Sequence, residues 1–129
     1  MFKKISRILI WSSDYQKLAN WYQKTFELHL IEKRTHPQDT GVVLQFPDGE
    51  PCIWIGQHSE ISGMNKDPLR IMFNISVDSV RNAYMHIGLR GGTIIAEPFK
   101  APTFDTWFMT AADPDGNVFQ CVGPEGTNI

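Results

Sequence analysis

Cysteine is scarce: the chain holds two, Cys52 and Cys121, far apart and outside any C-x-x-C spacing. That excludes a disulfide framework and a thiolate zinc cluster, and both thiols are expected reduced and in the core. Long apolar runs are missing as well. In the opening MFKKISRILIWSSD the uninterrupted run Ile8 to Trp11 falls short of the roughly 7–15 residues of a secretory h-region. No stretch approaches the roughly 20 apolar residues of a membrane span. The sequence therefore predicts no export signal and no membrane contact, and the cytoplasm is the expected location.

Charge of one sign is not concentrated anywhere. Twelve Lys and Arg stand against 14 Asp and Glu, a net charge of -2, and no basic run exceeds Lys3-Lys4. The footprint needed to grip a phosphate backbone is absent, so nucleic acid is not an expected partner. His29, His36, His58 and His86 form no H-x-x-x-H or H-E-x-x-H pattern, and solvated roles are expected for them. Neither cysteine has a histidine beside it in sequence to activate it, which points to packing.

What is present is enough for one core. The chain has 129 residues, 42% of them hydrophobic and 20% charged, which predicts a single domain over residues 1–129. It also repeats itself. Pro47-Asp48-Gly49 and Pro114-Asp115-Gly116 are each followed seven residues later by glycine, Gly56 and Gly123. The two halves run to about residue 65 and from about residue 66.

Each half opens on a short apolar run carrying an arginine: RILIW from Arg7, and RIMFNISV from Arg70 to Val77. These read as buried strands. Ser12-Ser13-Asp14 and Asp78-Ser79 offer N-cap oxygens. Helical stripes follow, Tyr15, Leu18, Ala19, Tyr22 and Phe26 in one half, Val80, Ala83, Tyr84 and Ile87 in the other. Gly88 or Gly91-Gly92 ends the second. Three further strands are predicted in each half: about 29–34, 42–46 and 52–57, then 93–97, 106–110 and 118–122. Each Pro-Asp-Gly suits a tight hairpin between the last two. The predicted class is α+β, two βαβββ modules forming a curved mixed sheet around a cavity.

On these residues the chain resembles the glyoxalase/bleomycin-resistance (vicinal oxygen chelate) family. DPDGNVFQCVGP (Asp113 to Pro124) is similar to that family's C-terminal strand, and RILIWSSDYQKLANWYQKTFEL to its opening strand and helix. The resemblance implies a homodimer, and it implies metal ligands, His, Gln or Glu, on the first and last strands of each module. The matching positions here are Arg7, Arg70 and Gln120, with Trp54 or Ile53 as the fourth. Alignment on an L-x-L pattern selects Trp54 and alignment on the Pro-Asp-Gly spacing selects Ile53. A one-residue slip turns a strand over, so both stand.

Such a set lacks carboxylate and imidazole, and arginine offers donors only. No metal and no cofactor is expected. Two roles are open to Arg7 and Arg70: structural contacts, including one to Gln120, or anchors for a ligand carboxylate, phosphate or enolate-like oxygen. Trp11 shares the parity of Arg7 and Leu9 along its strand, and Trp54, Trp107, Phe104 and Phe108 offer aromatic walls. Trp21, in the helix, is expected in the core. Glu97 and Asp105 have no paired partner for acid-base work, and no catalytic residue is assigned.

The expected function is metal-free binding of a small anionic or aromatic molecule through Arg7, Trp11, Trp54, Arg70 and Gln120. The alternative is a lyase, isomerase or dioxygenase of the same superfamily, metal-dependent or not.

Overall fold

The structure is a computed structural model that describes residues 1–127. The chain divides into two compact units, Met1–Gly63 and Met64–Ile129. The first contains β1 (Arg7–Ser12), α1 (Tyr15–Phe26), β2 (His29–His36), β3 (Asp39–Phe46) and β4 (Gly49–Gln57). The second contains β5 (Phe73–Ser76), α2 (Val80–Leu89), β6 (Thr93–Lys100), β7 (Trp107–Ala112) and β8 (Val118–Gly123). The order βαβββ thus occurs twice, as the repeat implied. The strands form two four-stranded mixed sheets, β1-β4-β3-β2 and β5-β8-β7-β6. In each, the first strand lies parallel to the last and the other pairs are antiparallel.

Both helices start where the polar residues before them can satisfy free backbone donors. The Asp14 carboxylate accepts the Lys17 N–H at 3.2 Å, and Ser12 Oγ accepts the Asp14 N–H at 3.0 Å. Helix α1 then buries Tyr15, Leu18, Ala19, Tyr22 and Thr25, with Phe26 half-buried. At α2, Ser79 Oγ accepts the Asn82 N–H at 3.1 Å. The segment after β8 covers the same helix start, where Val80 and Arg81 donate to the carbonyls of Pro124 and Glu125 at 2.9 and 3.0 Å. That close approach requires Gly126, whose φ is +69° and whose Cβ would lie 2.0 Å from Ser79 Oγ.

One strand is shorter than the sequence suggested. β5 begins at Phe73, and Arg70 lies before it in a turn. Asn65 Oδ1 accepts the Asp67 N–H at 2.9 Å, and the Arg70 N–H reaches the Asp67 carbonyl at 3.3 Å. These side-chain and turn bonds take the backbone of residues 65–70 away from the sheet.

Strand alternation gives each sheet a helix face and an opposite face. In β1, Ile10 and Ser12 are buried while Leu9 remains 54% exposed. Ser12 Oγ reaches the helix start, so α1 covers the Ile8–Ile10–Ser12 side. Register carries that layer to Ile53 and Ile55 of β4 and to Val42 and Leu44 of β3. In the second sheet the corresponding layer is Phe73, Ile75, Met109, Ala111, Phe119 and Cys121.

Candidate functional site

The candidate positions lie on the faces the helices leave uncovered. On the first sheet these carry Arg7, Leu9 and Trp11 from β1 and Cys52, Trp54 and Gly56 from β4, paired in that order. The ambiguity between Ile53 and Trp54 is thereby resolved in favour of Trp54. Its cause is hairpin length. Leu44 faces Ile53 whereas Ala111 faces Phe119, so the first hairpin holds one more residue between facing partners than the second. Equal spacing from Pro-Asp-Gly therefore lands on opposite faces. Trp54, not Ile53, is the counterpart of Gln120.

The same registers realign the first strands. Ile53 pairs with Ile8, and Phe119 with Phe73. Leu9 is then the counterpart of Asn74, and the helix caps Asp14 and Ser79 also match. Arg7 and Arg70 are not repeat-related, a correction to the sequence reading. The four central positions of the uncovered faces are Leu9 beside Trp54 and Asn74 beside Gln120.

Trp54 lies on a patch of bare backbone. Gly41 and Gly56 face each other across β3 and β4, and a Cβ at either would come within 2.6 Å of the indole. The Arg34 guanidinium sits over the ring at 5.8 Å from its centroid. Arg34 is held there by Glu32 and by Asp39 at 3.1 Å, and these carboxylates raise its pKa further, the hydrogen bond that Arg34 donates to Glu32 most. Trp54 is only 3% exposed, and its buried Nε1–H has no hydrogen-bond acceptor among the described residues. Trp11 is half-exposed and meets Trp54 edge-on at 6.2 Å. His58, two residues beyond Gly56, packs edge-on against Trp11 at 5.3 Å, and its Nδ1 accepts the Glu60 N–H at 3.1 Å.

The structure thus brings Trp11 and Trp54 together, with Arg7 on the same face. Arg7 is exposed and its side chain has no ion pair or hydrogen bond among the described residues. Arg70 is placed elsewhere: its side chain is 78% exposed and tied to Asp67 at 2.6 Å. The strand neighbour of Gln120 is Asn74, not Arg70, because β5 starts too late. Gln120 donates from Nε2 to Thr110 Oγ1 at 3.3 Å. Arg34 and His58 escaped the sequence reading. Parity could have put Arg34 on a face, but only the register shows that it lands over Trp54.

Trp107, Phe104 and Phe108 belong to the second unit. Phe108 stacks on Phe99 at 5.9 Å and meets Phe104 edge-on at 6.2 Å. Trp21 is half-buried against Tyr22 and Phe26. Glu97 is the acceptor of the Tyr84 hydroxyl at 3.2 Å, which raises the phenol pKa. Burial pushes the Cys121 thiol up to about 12, so it is no nucleophile at neutral pH.

The central pair of neither sheet offers the carboxylate or imidazole that a divalent metal commonly takes. Leu9 and Trp54 offer no coordinating lone pair, and Asn74 and Gln120 offer neutral amides. Among the described residues no three His, Cys, Asp or Glu side chains gather to hold an ion. Among the same residues no helix is long and apolar enough to cross a membrane.

A family model described as the Glyoxalase/Bleomycin resistance protein/Dioxygenase superfamily matches residues 4–121. None of the curated proteins matches the chain in sequence. Among solved structures, a glyoxalase I mutant from Zea mays superimposes with a TM-score of 0.78 at 22% identity. The match covers 97% of this chain and 46% of the maize chain, so this chain spans about half the length of that relative. A glyoxalase/bleomycin resistance protein/dioxygenase family enzyme from Burkholderia phytofirmans gives 0.74 at 23% identity, covering 93% of this chain and 98% of its own. A member of the superfamily from Sphaerobacter thermophilus gives 0.76 at 20%, covering 94% and 97%. Likeness at these identities shows the fold.

Proposed function

The chain belongs to the Glyoxalase/Bleomycin resistance protein/Dioxygenase superfamily, and from that premise we propose that it binds a small anionic, partly aromatic molecule without a metal. The proposed contacts are on the uncovered face of the first sheet: Arg7 as the charge anchor, Trp11 as the aromatic wall, and Trp54 as a hydrogen-bond donor supporting that wall. Gln120, beside Asn74 on the second sheet, is proposed separately, as a polar contact of that unit's own uncovered face. Arg70, already paired with Asp67 in its turn, drops out of the proposed set.

The carrying observation is the buried Trp54 Nε1–H with no acceptor. Leaving a buried donor unmade costs about 1–3 kcal/mol, and a ligand oxygen supplies what is missing. Arg7 favours the same ligand class, because an exposed guanidinium with no carboxylate of its own recognises an oxyanion bidentately. Among the described residues Glu32 and Asp39 are held by Arg34 and His58 has no carboxylate partner, which favours binding over turnover.

The test is a screen of aromatic carboxylates and phosphates, with neutral and cationic isosteres, followed by tryptophan fluorescence on protein stripped with chelator. Anions are expected to bind, and Arg7→Ala to weaken them by about one to two decades. Ligands that are all neutral or cationic, or an affinity restored only by added metal, would sink the proposal.

A further inference from the structure

We propose that the open end of the β7–β8 pair is a second binding site, for a small organic cation bearing a guanidinium or ammonium group. The site goes beyond the reading given for the first sheet and uses none of its residues.

β7 begins at Trp107 and β8 ends at Gly123, which pair in register. The chain enters through Asp105 and Thr106 and leaves through Pro124 and Glu125. Thr106 Oγ1 donates to the Gly123 carbonyl at 3.3 Å and fixes the two ends together. Gly123 is needed where it stands, since a Cβ there would come 2.1 Å from the Val77 carbonyl oxygen. Between these ends lies an open cavity of about 400 Å³ lined by Asp105, Thr106, Trp107, Gly123, Pro124 and Glu125, a size suited to a small molecule.

The lining selects charge. One guanidinium of the chain already uses this wall: Arg81, from α2, sits 5.4 Å from the Trp107 ring centroid and pairs with Glu125 Oε2 at 2.6 Å. The wall therefore has the two parts that hold a planar cation, an aromatic ring and a carboxylate. A second carboxylate is left over. Asp105 is exposed and its side chain makes no hydrogen bond or ion pair among the described residues. Of the two carboxylates lining the cavity Arg81 takes Glu125 and leaves Asp105; Lys100 of β6 pairs with Trp107 in register but is not among the lining residues. An anion finds no cation among the lining residues, and no third His, Cys, Asp or Glu joins the two carboxylates among the described residues. A monovalent cation with an apolar stem is the class that matches: its head on Asp105, its stem along Trp107.

The test is an amide and indole ¹H–¹⁵N spectrum of the full chain titrated with butylguanidinium, and separately with butylurea, its neutral isostere. Saturable shifts are expected at the Trp107 indole and the Asp105 amide, with butylurea weaker by about tenfold or more. Asp105→Asn, at an exposed position, is expected to weaken butylguanidinium by about tenfold while the rest of the spectrum stays in place. The site is refuted by non-saturable shifts, by equal affinity for butylurea, or by an affinity that Asp105→Asn leaves unchanged.

Discussion

Glu27, at the end of α1, has φ +55° and ψ +45°, and it is the one non-glycine residue with positive φ among the described residues. Its backbone N–H closes the helix on the Gln23 carbonyl, a cap that glycine makes without crowding its Cβ. Glu27→Gly is therefore expected to raise stability by roughly 1 kcal/mol, a few degrees in thermal midpoint. A lower midpoint would show that the Glu27 side chain contributes more than its backbone strain removes. Cys121 makes a different prediction at the same scale. Its thiol, 1% exposed, is pushed from the usual 9.0 up to about 12 by burial. Below pH 9 both folded and unfolded chains keep the proton; between 9 and about 12 only the folded chain does. Stability falls with rising pH across that window, because the unfolded state binds fewer protons. Urea midpoints of wild type and Cys121→Ala, compared between about pH 8 and pH 10.5, are expected to converge as pH rises. Parallel curves would contradict it.

Among the elements, β4 is where sequence and structure part. The helices were legible because their signals are local: Asp14 and Ser79 as caps, Leu18, Tyr22, Val80 and Ile87 on buried stripes. The face of β4 was not, because it depends on one extra residue in the preceding hairpin, which no periodicity within the strand reports. The meaning of Gly41 and Gly56 likewise appeared only once register set them opposite each other beside Trp54. Gly56→Ala puts a Cβ 2.5 Å from Trp54 Nε1. The expected result is a loss of about 1–3 kcal/mol, with tryptophan emission shifted to the red as the indole leaves its seat. An unchanged spectrum would mean that the ring is not seated on this glycine patch. The second hairpin is built the other way, around a side chain. Asp113 Oδ1 accepts the N–H groups of Asp115 and Asn117 at 2.8 and 3.0 Å, and Oδ2 accepts Asn117 Nδ2 at 2.8 Å. Asp113→Ala leaves these donors unmade, at an expected cost of about 1–3 kcal/mol in urea unfolding. Asp113→Asn, which keeps one acceptor oxygen, is expected to lose less; equal losses would contradict that.

At the scale of the whole molecule, the duplicated βαβββ order was readable from two Pro-Asp-Gly triplets and two capped stripes, and the family followed from the same residues. The candidate site was half readable. Trp11 and Trp54 meet, as their strand positions suggested, but Arg70 was drawn into a turn by Asp67, and Arg34 was hidden because its contact with Trp54 depends on two registers, β2 on β3 and β3 on β4. What the molecule does with that aromatic face is tested most directly through its four tryptophans, each giving one indole ¹H–¹⁵N signal. Titration of chelator-treated protein with the best aromatic anion from the screen is expected to shift the Trp11 and Trp54 indole signals together, and to leave those of Trp21 and Trp107 in place. Arg7→Ala is expected to move the same titration to about tenfold or more higher ligand concentration. Shifts confined to Trp21 or Trp107, or an Arg7→Ala titration that overlays the wild type, would contradict anion binding on the first sheet.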